Sequence, residues 1–280
     1  MTKLAVIGAG VMGETVLSGL LHTGWAAEDI VVTARRPERR KQLVERYGVG
    51  TTDNVQAAAD ARIVLIAVKP QDLITVLDEI APAITPQTTV ASLAAGVATD
   101  VIEAHLPAGT PVVRVMPNTP AQVAEGIAAV SAGQHAAPDQ VGQVAELLAA
   151  TGQVTILPEK YQDAVTAISG SGPAYVFFIV ESMIEAGVHL GLPRHIAAEL
   201  VVQTVYGSAK LLKETGDHPT VLRERVTSPG GTTAAAIRVL EDHKVRAAFL
   251  GAAEAARNRG AELAAAARKS ATRDPEARDS

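Results

Sequence analysis

The chain has 280 residues, enough for one large domain or two ordinary ones, and 48% of them are hydrophobic, so substantial cores can form. A net charge of −5, from 25 Lys and Arg against 30 Asp and Glu, with no long basic run, argues against nucleic acid as a partner. Cysteine is absent, which excludes disulfides and thiolate metal sites, and the 7 histidines lack ligand spacing, so no protein-bound metal is expected.

Strand-like residues begin at Leu4, directly after Met-Thr-Lys, leaving no room for a signal peptide. No apolar run reads as long enough to span a bilayer, and a cytoplasmic chain without membrane contact is the expectation. Short β-branched runs then alternate with helical stretches, at 4–7, 30–33, 63–68, 89–92, 112–115, 126–130 and finally 154–157. Strand followed by helix, repeated, predicts right-handed crossovers and a parallel sheet covered on both faces, a doubly wound α/β domain over 1–157.

Beyond 157 the strand signal stops. Helical patterns run from about 161 to 267, with breaks expected at Gly170-Ser171-Gly172-Pro173, Gly191-Leu192-Pro193, Gly216-Asp217-His218-Pro219 and Ser228-Pro229-Gly230-Gly231. An all-helical second domain over 158–268 follows. Its stretches 174–188 and 196–212 are apolar around much of their circumference, more than one solvated face allows. A domain this small cannot cover them, so a homodimer is expected; the alternative is burial against the first domain alone. The charged, Pro-broken residues 269–280 read as a disordered tail.

Gly8-Ala9-Gly10-Val11-Met12-Gly13 follows the first strand and opens a helix. The first glycine permits the turn, the second lets backbone approach a pyrophosphate, and the third lets helix pack on strand, with the helix N-terminus facing the anion. At the end of the first strand of an α/β array this is a Rossmann-type dinucleotide site. NAD binders place a carboxylate about 20 residues on, at the end of the second strand, for the ribose hydroxyls. Here that place holds Arg35 and Arg36 and no acid. A guanidinium pairs with a 2′-phosphate, so NADP(H) is preferred, NAD(H) remaining open. Either arginine can serve, the other being a solvated charge. Ala67, Val68, Lys69 and Pro70 close the strand from 63, and Leu93, Ala94, Ala95 and Gly96 follow the strand from 89. Both segments lie at strand C-termini, the edge where open α/β sheets bind ligands. Lys69 is either catalytic or a hydrogen-bonding loop residue.

In Ser228-Pro229-Gly230-Gly231-Thr232-Thr233, a proline and two glycines can align successive N–H groups, and Thr232 or Thr233 can cap a helix beginning at Ala234. Such a loop is either an anion nest suited to a small carboxylate or an ordinary helix start. Taken with Ala67-Val68-Lys69-Pro70, Ala94-Ala95-Gly96-Val97, Met116-Pro117-Asn118-Thr119-Pro120 and Ala167-Ile168-Ser169-Gly170-Ser171-Gly172-Pro173-Ala174-Tyr175, in this order, the chain resembles the pyrroline-5-carboxylate reductases over residues 1–267.

That resemblance implies reduction of a cyclic imino acid, 1-pyrroline-5-carboxylate, to L-proline by hydride from NAD(P)H, in a homodimer whose helical domains interlock, a ring of dimers being open. It implies substrate contacts from Ser228, Gly230, Gly231, Thr232 and Thr233, a further one from Glu159, and a cofactor contact from Asn54. Glu159 can favour the iminium charge or be a solvated helix-start residue. A protonated imine is already electrophilic, so no strong general acid is needed and no histidine is assigned a catalytic part. Thr233 is assigned as hydroxyl partner of the ring nitrogen. The rivals are a hydroxyacid dehydrogenase, whose Asn-x-x-x-Lys pair is missing after 157, a general imine reductase, and an NADP-binding sensor that would not need the Ser-Pro-Gly-Gly loop.

Overall fold

The structure is a computed structural model and describes residues 2–271. The chain divides into two compact units, one holding the described residues up to Ser171 and those from Ala255 onward, the other Gly172–Glu254. The first unit therefore extends past the strand-based boundary at 157 and takes back the end of the last helix.

In the first unit β1 (Thr2–Ile7), α1 (Val11–His22), β2 (Ile30–Thr33), α2 (Pro37–Tyr47), β3 (Gly50–Thr51), α3 (Asn54–Asp60), β4 (Ala61–Ile66) and α4 (Pro70–Ile80) lead to β5 (Thr89–Ser92), α5 (Thr99–Glu103), β6 (Val112–Met116), β7 (Gly126–Ala132), α6 (Pro138–Ala149) and β8 (Gly152–Ile156). Local signals set the helix starts: Pro37, Pro70 and Pro138 each stand in the first turn, where the missing N–H has no intrahelical acceptor to lose. The Asp53 carboxylate accepts the Gln56 N–H at 2.8 Å and caps α3.

The strands form one sheet in the order β3-β2-β1-β4-β5-β6-β7-β8. Side chains alternate between its faces. Leu4 and Val6 of β1 meet Val16, Leu17 and Leu20 of α1 on one side, while Ala5 and Ile7 join Leu73, Leu77 and Ile80 of α4 on the other. The sheet is not wholly parallel as expected, because β7 runs antiparallel to β6. The link between them carries only a 3₁₀ turn, Thr119–Val123, and a parallel return needs about a dozen residues or more. After α6, β8 lies parallel to β7.

A 3₁₀ turn (Glu159–Tyr161) and α7 (Gln162–Val165) follow, then a π-helical turn at Thr166–Gly170. The expected break at Gly170-Ser171-Gly172-Pro173 is instead a widening, in which the Ser171 N–H reaches Thr166 O at 2.8 Å, before α8 (Gly172–His189) continues. As a result the helical stretch Glu159–His189 is, by length and composition, long and apolar enough to cross a membrane, which corrects the expectation that no such run exists. A helix that packs against another chain meets the same test.

The second unit holds α8, α9 (Arg194–Thr215), α10 (Pro219–Arg225), α11 (Thr232–Asp242) and the start of α12 (Val245–Ala271). Gly187 of α8 lies so close to α9 that a Cβ there would stand 3.0 Å from the Ala197 side chain. Yet Ala197 and Val201 alone are buried among the unit's residues, and Phe177 and Phe178 are 65% and 70% exposed. An isolated helical unit should bury its large apolar side chains. α12 continues to Ala271, past the expected start of the tail at 269, whose remaining residues lie outside those described.

Candidate active site

At the C-terminal edge of β1, β2 and β4, a cleft of about 740 Å³ is lined by Gly8, Ala9, Gly10, Arg35, Arg36, Asn54, Ala67, Val68 and Lys69. Gly8 has φ +87°, and a Cβ on it would meet Val68 Cγ1 at 2.6 Å, so only glycine fits this turn. A Cβ on Gly13 would meet Gly8 O at 2.8 Å, which is why α1 can begin directly on the strand. Gly10 is the N-cap of α1 and no side chain caps the helix. The N–H groups of Val11, Met12 and Gly13 therefore have no intrahelical acceptor and form an anion-binding start.

The wall at the end of β2 is cationic. Arg35, Arg36, Arg39 and Arg40 all border the cleft. Arg35 pairs with Asp72 at 2.8 Å but is 81% exposed, whereas Arg39 is largely enclosed and donates its Nε–H to Ala9 O at 3.2 Å. Asn54 accepts the Thr33 hydroxyl at 2.7 Å and donates to Glu79 at 2.8 Å, and Thr33 Oγ1 accepts the Gly8 N–H at 3.3 Å. Thr33, Arg39 and Arg40 were not singled out in the sequence. Arg39 and Arg40 resembled the solvated face of a charged helix, and Thr33 the last residue of a strand.

Other expected cofactor residues lie elsewhere. Val11 lines a neighbouring cleft of about 490 Å³ with Glu14, Arg46 and Tyr47. Met12 packs on the core, Pro70 is the exposed start of α4, and Leu93 and Ala94 are buried in the core. Gly96, with φ +75°, faces Gly260 and Leu263 of α12, and Ala95 is half-buried.

Glu159 is not solvated at its helix start. Its carboxylate accepts the Thr99 N–H at 2.8 Å and the Thr99 hydroxyl, capping α5, and accepts from Arg114 Nη1 at 3.2 Å. Arg114 is buried and also reaches Asp163 at 3.4 Å. A carboxylate so engaged satisfies a buried guanidinium that would otherwise be uncompensated.

In the helical unit, Ser228–Thr233 forms an exposed turn closed by the Gly231 N–H on Ser228 O at 3.0 Å, with Gly230 at φ +70°. Contrary to expectation, neither Thr232 nor Thr233 caps the helix, nor does it begin at Ala234. Gly231 is the N-cap, with no side-chain hydrogen bond, and Thr232 is the first residue of α11. Glycine can supply the turn without a side-chain oxygen, so the first-turn amides and the threonine hydroxyls stay open to a ligand. Among the described residues no group of His, Asp or Glu is placed to hold a metal ion.

Residues 159–263 match the family described as pyrroline-5-carboxylate reductase dimerisation, and residues 3–96 match NADP oxidoreductase coenzyme F420-dependent. A pyrroline-5-carboxylate reductase of Corynebacterium melassecola is 46% identical over 267 residues, covering 94% of this chain and 99% of the relative. The chain belongs to the pyrroline-5-carboxylate reductase family. A solved pyrroline-5-carboxylate reductase from Coxiella burnetii, 39% identical, superposes with a TM-score of 0.89 over 94% of this chain and 98% of that one. The Plasmodium falciparum pyrroline carboxylate reductase, solved with NADP bound, is 29% identical, with a TM-score of 0.84 over 94% and 98% of the two chains. The chain is thus an oxidoreductase of this family, and its helical unit lies within the family's dimerisation domain.

Proposed function

We propose that the chain reduces 1-pyrroline-5-carboxylate to L-proline with NADPH, NADH being the weaker donor. The observation that carries this is the uncapped, exposed start of α11 in a chain whose 46% identical relative is a pyrroline-5-carboxylate reductase. The β1 cleft fits a dinucleotide, since backbone is bared where Gly8 excludes any Cβ and guanidiniums line the end of β2. When bound, the reduced nicotinamide supplies the hydride.

The chain's own part is to bind and orient. The amides of Gly230, Thr232 and Thr233 take the substrate carboxylate with the Ser228 hydroxyl, Gly231 shaping the turn through its N–H on Ser228 O, and Thr233 offers its hydroxyl to the ring nitrogen. Gly8 to Gly13 take the pyrophosphate, Arg35 or Arg36 the 2′-phosphate, and Asn54, Ala67, Val68 and Lys69 the remaining cofactor surface, while Pro70 and Leu93 to Gly96 support the cleft from outside its lining. Glu159 enters as the group that fixes the start of α5 rather than as a free carboxylate. Holding the imino acid by its carboxylate converts binding into orientation, the main lever for a reaction whose electrophile needs little activation.

The helical unit is completed by a second copy, which covers Phe177 and Phe178 in place of lipid; the homodimer is the minimal unit, and rings of dimers build on it. The test is to mix the purified chain with NADPH and pyrroline-5-carboxylate and follow nicotinamide absorbance and proline. Oxidation with matching proline is expected. Binding without oxidation would replace the reductase with a dinucleotide sensor.

A further inference from the structure

We propose that Glu14 is a positioning residue for the cofactor cleft, acting through Arg39 on the carbonyl of Ala9. The inference rests on NADPH occupying that cleft.

Glu14 lies in the first turn of α1, beside the open amides, where a bare carboxylate would repel a pyrophosphate. Its oxygens are instead divided between donors. Arg39 Nη2 bonds to Oε2, while Arg46 Nη1 and the Tyr47 hydroxyl donate to Oε1 at 3.1 and 3.0 Å. Burial alone pushes the Glu14 carboxyl up, but the bonds from Arg39 and Tyr47 and the charges of Arg39 and Arg46 outweigh it and hold the group below the ordinary carboxylate range. Burial and the same carboxylate push the Tyr47 phenol up, so it stays a donor.

Arg39 thereby has one orientation, and with it reaches Ala9 O at 3.2 Å. The Ala9 N–H is already bound to Thr33 O at 2.8 Å. Because a peptide unit is planar, pinning the Ala9 carbonyl also fixes the direction of the next amide, that of Gly10, the N-cap of α1. Freed from Glu14, the arginine would regain the rotamer freedom of a long side chain, and the glycine turn would lose its outer clamp.

Charge alone predicts the opposite sign. Glu14→Gln removes a negative charge beside an anion site and should tighten NADPH if electrostatics were all that mattered; loss of positioning should weaken it. The experiment titrates NADPH into the full chain by fluorescence, with kcat, both KM values and Tm measured in parallel. Glu14→Gln is expected to raise the NADPH Kd and KM about tenfold, leaving kcat at saturating NADPH and the imino-acid KM within about twofold. Arg39→Lys should weaken NADPH on its own, and adding Glu14→Gln to it should change little further, since the residues act in series.

NADPH bound by Glu14→Gln as tightly as by wild type, or more tightly, overturns the proposal, as do effects of Glu14→Gln and Arg39→Lys that add in full. Should Glu14→Gln fail to fold, Tyr47→Phe removes one bond from the same carboxylate and should raise the Kd about threefold; an unchanged Kd again overturns it. A wild-type chain that binds no NADPH overturns the proposed function along with this inference, whereas binding by wild type with no loss in the variants overturns this inference alone.

Discussion

Arg35 and Arg36 stand where a carboxylate would select NAD, and the Arg35 pairing with Asp72 is too exposed to hold the guanidinium against a competing phosphate. Replacing both by Ala should raise KM for NADPH about tenfold or more while leaving KM for NADH within about twofold. Steady-state kinetics with the two donors checks this, and equal losses would remove the 2′-phosphate role. Thr233 follows the N-cap Gly231 by two places, with its amide in the uncapped turn. Thr233→Ala should lower kcat/KM for the imino acid about tenfold with the NADPH Kd unchanged in a binding titration. Unaltered turnover would take Thr233 out of the site.

In the proposed function, cofactor binding rests on the glycine turn joining β1 to α1. Gly8→Ala would force a positive φ on an L-residue and drive a methyl into Val68, so it should abolish measurable NADPH binding while the helical unit keeps its circular dichroism. Retained affinity would show that the turn can relax. Elements of this kind were legible because their signals are local: β2 and β5 occupy 30–33 and 89–92 as expected from their β-branched runs. β3 was missed because Gly50–Thr51 is too short to show a pattern. The reversal at β7 was missed because alternation marks a strand but not its direction, which the short β6–β7 link decides. Partners far apart in sequence were also invisible. Arg39 meets Ala9 across 30 positions and Glu159 meets Thr99 across 60, and neither run carries a motif that announces the meeting. The loop before α11 read in sequence as either an anion nest or an ordinary helix start, and its N-cap was misplaced, since glycine supplies the turn that a threonine cap was expected to make.

Across the whole molecule the contrast is between a sheet unit with cores on both faces and a helical unit with almost none. Within the apolar stretch 174–188, Val180 and Ile184 are half-buried, and Phe177 and Phe178 project further. Phe178→Glu should shift the chain to monomer in sedimentation and remove activity; an active monomer would show that one copy suffices. Because Phe177, Phe178 and their neighbours have so little apolar cover of their own, the proposed pairing would make this enzyme's working lifetime depend on mass action as well as on sequence. Dilution would thin the population of competent molecules before any strand of the sheet begins to melt, tying catalytic capacity to how much of the polypeptide a cell makes.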